Sequence, residues 1–537
     1  MAKSDQRYST KNNTNETLEE NEDPSKLIKE RRSQELIIGI CGSIGAGTKE
    51  LSNSLKDILG LKKNGYSVET IKITELILEI NNDPSLLKLS GFERYNKYQI
   101  AGNKIREKFG ENKLAAKAIT RIIDKREKYL SKKLEENKEI TIDELKTTKR
   151  VAYIIDQLKH PSEVNLLRTV YKQNFYLIGI TNNEQSRKEY LTELSINDDE
   201  ADTLMRRDKK DEVSHGQQVE KTFHLSDYFI KNRQGKGSDG HLDNAVERFT
   251  KLAHGFNGNP PTNDEVGMFA AYSSSLKSAC LSRQVGAAII NNNGDILSTG
   301  CNDVPSYGGG LYTGDKDKDN RCVFKQGKKC HNDHHKSKLQ DEFSKILDDE
   351  FRKISESVKA KSNNKVMIEL LKKKEDLAEK LLKRTKAKDL IEYSRAIHAE
   401  MDALIQLART ENQTTIGTTM YTTTFPCHNC ARHIVAAGIF KVVYIEPYEK
   451  SLAINLHNDS ISISEEKNKV SFESFEGVSP RRYSKFFEYF DRKDKFTGKA
   501  KIISPANSHH IDPEYLDSYF EYENKIAKHS KAQENPN

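Results

Sequence analysis

The sequence predicts an α/β protein of two domains, a parallel sheet with crossover helices followed by an α/β/α domain with a mixed sheet and a helical insertion. Three observations lead there. Its 537 residues are more than one hydrophobic core usually organises. In the first half, short apolar runs alternate with long helical stretches, the pattern of strands joined by helical crossovers. The second half opens on VGAAIINNNGDILSTG, two strand-like runs around an Asn-Gly pair, which reads as a hairpin.

Taken in order, residues 1–34 are polar, rich in Asn and Glu and without periodicity, and are expected to form a disordered arm. The first domain is expected over 35–230. It begins at ELIIGICGSIGAGTKELSNSL, an apolar run entering a glycine-rich turn and then a helical pattern. VETIKI, VAYIID and FYLIGI follow as strands, with KLAAKAITRIIDKREKYL as a helix. Glycine and polar residues cluster without apolar content at 231–240, which marks a linker, and the second domain is expected over 241–537. Its insertion, about 336–390, sets Leu339, Phe343, Ile346, Leu347, Phe351, Ile354 and Val358 along one helix face, and VMIELLKKKEDLAEKLLKRTK repeats the pattern. A helical hairpin is favoured there over a nucleic-acid-binding arm, because charge runs are usually solvated faces.

Composition narrows the function. Hydrophobic residues make up 35% and charged residues 31% of the chain, a soluble balance, and no apolar run reaches membrane-spanning length. The N-terminal stretch has no apolar core of the kind a secretory signal needs, so a cytoplasmic protein without a membrane partner is expected. In that reducing compartment the seven cysteines are expected to be free or metal-bound. A net charge of +7 is small at this length and does not argue for nucleic acid.

Two stretches carry the chemistry, AIHAEMDALIQ at 396–406 and TTTFPCHNCARHIVAAG at 422–438. Cys427 and Cys430 share one face of a helix's first turn, where the backbone dipole favours thiolates, and Pro426 suits the start of that helix. With His398 they offer zinc three ligands and leave one position open, a catalytic rather than a structural arrangement. Glu400, two positions from a ligand, can take a proton from metal-activated water and deliver it to a ring nitrogen and a leaving amine. His398-Ala399-Glu400 with Pro426-Cys427-His428-Asn429-Cys430 matches the H-x-E and P-C-x-x-C pattern of zinc nucleobase deaminases. An isolated C-x-x-C reads as a structural zinc or redox pair; both halves in this order weigh against that.

From residue 241 onward the chain resembles deoxycytidylate deaminases beyond that motif, in SLKSACLSRQVGAAII, STGCNDVP and KVVYIEPYEKSLAINLHNDSI. With the first domain included, DQLKHPSEVNLLRTVY and GQQV make it similar to the bacterial anti-phage dCTP deaminases, which join a P-loop-kinase-like domain to a deaminase. The resemblance implies zinc-dependent hydrolytic deamination of dCTP, with dCMP a further substrate, to the deoxyuridine nucleotide and ammonia, depleting dCTP against phage. It also implies that Asn302 hydrogen-bonds the sugar. Asp402 stands where many deoxycytidylate deaminases carry Asn, and Arg283 and Arg482 are candidates to meet phosphates. The expected partners are free deoxycytidine nucleotides and further copies of the chain, with a phage-derived trigger or a regulatory nucleic acid left open.

Gly42-Ser43-Ile44-Gly45-Ala46-Gly47 has the spacing of a phosphate-cradling loop between strand and helix, but Thr48-Lys49 follows where G-K-[ST] is the rule. Backbone amides there can hold a nucleotide's phosphates, whereas the reversed order disfavours phosphoryl transfer and makes a regulatory domain the economical reading. Asp156 is read either as a metal-binding carboxylate or as the plain end of a strand. NRCVFKQGKKCHNDHH gathers Cys322, Cys330, His331, His334 and His335, and Cys322, Cys330 and His334 are the candidates for a second, structural zinc. Against the free-nucleotide deaminase stand a housekeeping dCMP deaminase, a polynucleotide cytidine or adenosine deaminase, for which no basic aromatic groove is visible, and a regulator with a vestigial site, which the intact Glu400 disfavours.

Overall fold

The apolar runs form strands where the sequence places them. The first sheet contains β1 (Leu36–Gly42), β2 (Ser67–Lys72), β3 (Val151–Asp156), β4 (Phe175–Thr181) and β5 (Tyr228–Lys231). Their order is β5-β4-β1-β3-β2, and every neighbour in that series is parallel. β1 is buried on both faces: Ile37 and Cys41 join one core, Leu36, Ile38 and Ile40 the other. That double burial is why its sequence is continuously apolar rather than alternating. The computed structural model describes residues 31–136, 150–211, 213, 215–233, 240–314, 319–325, 327–357, 364–390, 393–448, 451–489, 492–501 and 503–534. The expected disordered arm through residue 30, and most of the expected linker at 234–239, lie outside them.

Helices cover both faces of this sheet. The ones that matter below are α1 (Thr48–Gly60), α2 (Lys113–Glu136), α3 (Glu184–Glu193) and α4 (His241–Ala253). α4 lies beyond the expected linker yet still packs here, with Val246, Phe249 and Leu252 fully buried against β1 and β4 residues.

The second sheet is mixed. β6 (Gly286–Ile290) and β7 (Ile296–Cys301) form the expected hairpin, β8 (Thr419–Thr424) pairs antiparallel to β6, and β9 (Lys441–Glu446) lies parallel to β8. β10 (Ile461–Ser462) and β11 (Val470–Ser474) complete the order β10-β11-β9-β8-β6-β7. On its faces pack α5 (Asn263–Ser275) and, after the insertion, α9 (Ala399–Ala408) and α10 (His428–Ala436). The insertion is the expected helical hairpin: α6 (His331–Ser357) runs out, and α7 (Asn364–Lys372) and α8 (Lys374–Arg384) return along it, broken at Lys373. Two α/β domains with mostly parallel strands are therefore present.

The chain then returns to the first domain, which the expected 241–537 boundary does not contain. β12 (Gly477–Val478) adds antiparallel to β5, and α11 (Leu516–Glu534) packs on α2. Arg126 of α2 joins Glu523 of α11 and Glu35 before β1, at 2.7 Å each. Arg482 is committed to the same junction, at 3.0 Å from Asp227 and 3.1 Å from the Phe175 carbonyl, so it does not face a substrate phosphate. Among the described residues no helix is long and apolar enough to cross a membrane.

Candidate active site

Two helix starts meet at the site. His398 is the N-cap of α9 and Cys427 the N-cap of α10, where the Cys427 sulfur accepts the Cys430 N–H at 3.5 Å. Pro426 therefore precedes the cap rather than occupying the first helical position. α9 can press on β7 because Gly300 has no side chain: a Cβ there would lie 2.2 Å from the Ala399 carbonyl oxygen. That contact sets His398 and Glu400 at the end of the strand carrying Cys301 and Asn302.

His398 Nδ1 lies 3.3 Å from Cys427 Sγ and 3.3 Å from Cys430 Sγ. A tetrahedral zinc at about 2.0 Å from nitrogen and about 2.3 Å from sulfur separates such donors by roughly 3.6 Å, so this set fits zinc. The Cys430 thiol's hydrogen bond, with His398 beside it, lowers the Cys427 thiol to about 4, and the Cys427 hydrogen bond raises His398 to about 9. The Cys430 thiol is held well above its ordinary value by the neighbouring Cys427. Zinc takes such donors as thiolates and a neutral imidazole, displacing their protons. Among the described residues, these three are the group of His, Cys or acidic side chains gathered closely enough to hold a metal.

Glu400, in the first turn of α9, is 4% exposed, and burial raises its carboxyl group. It lines a cavity of about 160 Å³ together with His398, Cys427, Asn302, Asn332 and Phe425. The Asn302 amide is engaged in shaping that wall: Oδ1 accepts the Val285 N–H at 2.7 Å and Nδ2 donates to the Arg283 carbonyl at 2.8 Å. Arg283 stands at the cavity, half exposed, 3.2 Å from Glu446. Asp402 points away from it, accepting from the Cys301 N–H at 3.0 Å and from Gln406 at 2.9 Å, so the residue found in place of Asn braces β7 against α9.

Asn332, at the start of the insertion, has no motif to announce it. Asn332 lines the cavity; its Nδ2 donates to the Leu390 carbonyl at 3.1 Å, which fixes the amide, and its Oδ1 is buried without a hydrogen-bond partner. The expected second metal set is corrected. Cys322 and Cys330 share a small neighbouring cavity with Cys280 and His331, whereas His334, in the first turn of α6, does not line it, and among the described residues Cys322, Cys330 and His334 are not gathered as ligands.

The glycine loop joins β1 to α1 as its spacing predicts, with Gly45 at φ 77° and Gly47 at φ 97°. Its Ile44 N–H is taken by the Asp208 carboxylate at 2.8 Å, and Lys159 spans Asp208 and the Gly42 carbonyl. Thr48 is buried, with Gln157 donating to its hydroxyl, while Lys49 is exposed. Asp156 ends β3, its Oδ1 is buried without a partner, and burial raises it to about 6.

These features define a zinc-dependent deaminase domain, a hydrolase. Residues 261–446 match the model of the cytidine and deoxycytidylate deaminase zinc-binding region. The chain is 32% identical over 182 residues to the deoxycytidylate deaminase of Enterobacteria phage T4, covering 34% of this chain and 76% of that one. It is 48% identical over 56 residues to the deoxycytidylate deaminase of Enterobacteria phage T2, covering 10% of this chain and 29% of that one. A crystal structure of a dCMP deaminase from the cyanophage S-TIM5 in complex with dCMP and dUMP aligns over 40% of this chain and 98% of that one, at 19% identity and a TM-score of 0.22. The chain belongs to the cytidine and deoxycytidylate deaminase family, and zinc at His398, Cys427 and Cys430 is its cofactor.

Proposed function

We propose that the protein hydrolyses the C4 amine of a deoxycytidine nucleotide, dCTP or dCMP, adding water and releasing ammonia to leave the deoxyuridine nucleotide. The observation that carries this reading is Glu400, a buried carboxyl group in one cavity with His398 and Cys427, two of the three metal donors. The zinc those donors hold supplies Lewis acidity toward water. Glu400 accepts a proton from the attacking water and returns protons to ring N3 and to the departing amine. Its raised carboxyl suits a group that must both take and give a proton. Arg283 is the cation at the cavity available to substrate phosphates, and Asn302 holds the turn that presents it. The phage T4 and T2 relatives are named deoxycytidylate deaminases, which supports a deoxycytidine nucleotide as substrate.

We further read the protein as a dCTP-depleting anti-phage enzyme whose first domain regulates the second; its resemblance to that group supports this. Regulation is favoured over phosphoryl transfer because Lys49 is exposed while Thr48 takes the buried place. The test offers purified protein dCTP, dCMP, CTP, CMP and cytosine-containing single-stranded DNA and follows ammonia release. Turnover confined to the deoxynucleotides is expected. Turnover of the polynucleotide alone would overturn the substrate class, and an unchanged dCTP pool in infected cells expressing the protein would overturn the defensive role.

A further inference from the structure

The helical insertion stands apart from both sheets. α6, α7 and α8 pack chiefly on one another, and among their described residues Ala378 alone is buried. Leu339, Phe343, Leu347 and Phe351 follow one face of α6, with Leu370, Leu371, Leu377 and Leu382 on the returning helices, yet each of these is only half-buried. Ile346, Ile368 and Leu381 are 60, 52 and 42% exposed. An amphipathic helix in water needs its apolar stripe covered, and two helices cover only part of each other's. Four helices close such a core, so this hairpin has the make-up of half a bundle.

The stem of the hairpin is held firmly where it leaves the deaminase domain. Asn332 Nδ2 donates to the Leu390 carbonyl at 3.1 Å, Lys336 Nζ donates to the Lys388 carbonyl at 2.8 Å, and the His335 ring stacks on Tyr393 with centroids 4.8 Å apart. A surface fixed in this way loses little freedom on association.

The charges indicate what covers the seam. α6 is net acidic, and its exposed Asp341, Glu342 and Asp349 make no ion pair among the described residues. The returning helices are net basic, and their exposed Lys372 and Arg384 make none either. Lys374 donates to Asp348 at 2.9 Å, which sets the register of the antiparallel helices. Counted from that pair at the common rise of about 1.5 Å per residue, Asp349 stands level with Lys373, next to Lys372. Asp341 and Glu342 stand level with Leu381 and Lys380, within one turn of Arg384. Acids and bases therefore share the same heights on opposite sides of one hairpin. A twofold rotation about its long axis brings the acids of each copy against the bases of the other, which is the self-complementarity an isologous interface requires. The acids of α6 also disfavour a nucleic acid on this seam.

We propose that the insertion is a pairing device, in which two copies of this chain join by their hairpins into one four-helix bundle. α6 of each copy lies beside α7 and α8 of the other, with Ile346, Ile368 and Leu381 in the shared seam. Nothing in this pairing rests on the deaminase reading.

Sedimentation velocity on the full-length protein over a wide range of concentration tests it. The wild type is expected to sediment as an assembly of an even number of chains. Asp341→Lys combined with Asp349→Lys sets like charges together, as does Lys372→Glu combined with Arg384→Glu. Each double variant is expected to halve that mass by raising the dissociation constant roughly tenfold or more. All four positions are exposed, so the thermal midpoint is expected to hold. Mixing the two double variants in equal amounts should recover the full mass, because in the mixed pair every acid again faces a base. Ile346→Asp combined with Leu381→Asp should lose the assembly and not regain it on mixing with either. A monomeric wild type, or an unchanged mass in all three variants, would overturn the proposal. Failure of the mixture to reassemble would overturn the placement of α6 against α7 and α8.

Discussion

Replacing Glu400 by Gln isolates the proton shuttle from everything else the residue does. The amide keeps the volume of a side chain 4% exposed at the start of α9, so the packing of α9 on β7 and the His398 cap are retained. It removes a carboxyl group whose burial already disfavours its charge, so the fold is expected to lose little and zinc is expected to remain. What disappears is transfer of a proton between water, ring nitrogen and amine. Positioned acid–base groups contribute about 10²–10⁴ in rate, which at about 1.4 kcal/mol per decade is roughly 3–5 kcal/mol of barrier. Because one residue serves several transfers here, the upper part of that range is expected. The assay follows ammonia release at saturating nucleotide, with zinc content by atomic absorption and the thermal midpoint on the same preparation. If the variant retained zinc and fold and ran within a few-fold of the parent, the role given to Glu400 would be refuted.

Other consequences can be tested in parallel. His398→Ala, Cys427→Ala and Cys430→Ala should each lower bound zinc and abolish turnover; full metal content and activity in any one removes it from the ligand set. Asn332→Ala deletes an oriented, unpartnered acceptor and should lower kcat/KM by about tenfold while leaving zinc in place, whereas unchanged kinetics would show that Oδ1 meets no substrate group. Lys49→Ala should leave deamination within a few-fold of wild type, and robust ATP or GTP hydrolysis by the wild type that this change removes would overturn the regulatory reading. Acid should loosen the first domain through His254, which donates from Nδ1 to the Thr250 carbonyl and accepts Tyr66 and Arg150 at Nε2. Burial first, and Arg150 among the charges, lower it to about 4, so below about 6.5 the unfolded chain binds the proton first. That stability is full above the unfolded value and falls as pH drops toward 4, by on the order of 2 kcal/mol at pH 5. His254→Gln should flatten the thermal midpoint over pH 7 to 5, and an identical slope would refute the assignment.

The parts of this protein that were legible in its sequence are those fixed by residues close in the chain. His398 and Glu400 share one helix start, Cys427 and Cys430 another, and the β6–β7 hairpin turns within five residues, Asn291–Asp295. Local spacing and turn chemistry encode all three. Asn302 was visible as a strand end, but not that both ends of its amide are engaged by Val285 and Arg283. Asn332 gave no signal because its role depends on Leu390, 58 positions away across the insertion. Reading Cys322, Cys330 and His334 as a metal set failed for the opposite reason: they are near in sequence, but α6 begins at His331 and carries His334 round its turn.

The return of the C-terminal segment was invisible for a related reason, and it bears on function. β12 is two residues long, too short to carry a strand pattern, and is held by partners far off in sequence. Buried Glu265 at the head of α5 binds Arg248 of α4 at 2.7 Å through both carboxylate oxygens, and also accepts the Val478 N–H of β12 at 2.8 Å. One carboxylate thus ties the first deaminase helix to the edge of the other sheet. Charge-assisted and bidentate on a buried carboxylate, it is the kind of contact that fixes geometry. Lys231–Glu473 bridges the same boundary through a single ion pair at 2.9 Å. The junction is therefore held by a bidentate contact at Glu265 and by one ion pair at Lys231. Glu473 adjoins Phe472, whose ring packs on Phe425 of the active-site wall, so the Lys231 pair reaches the pocket through two neighbouring side chains.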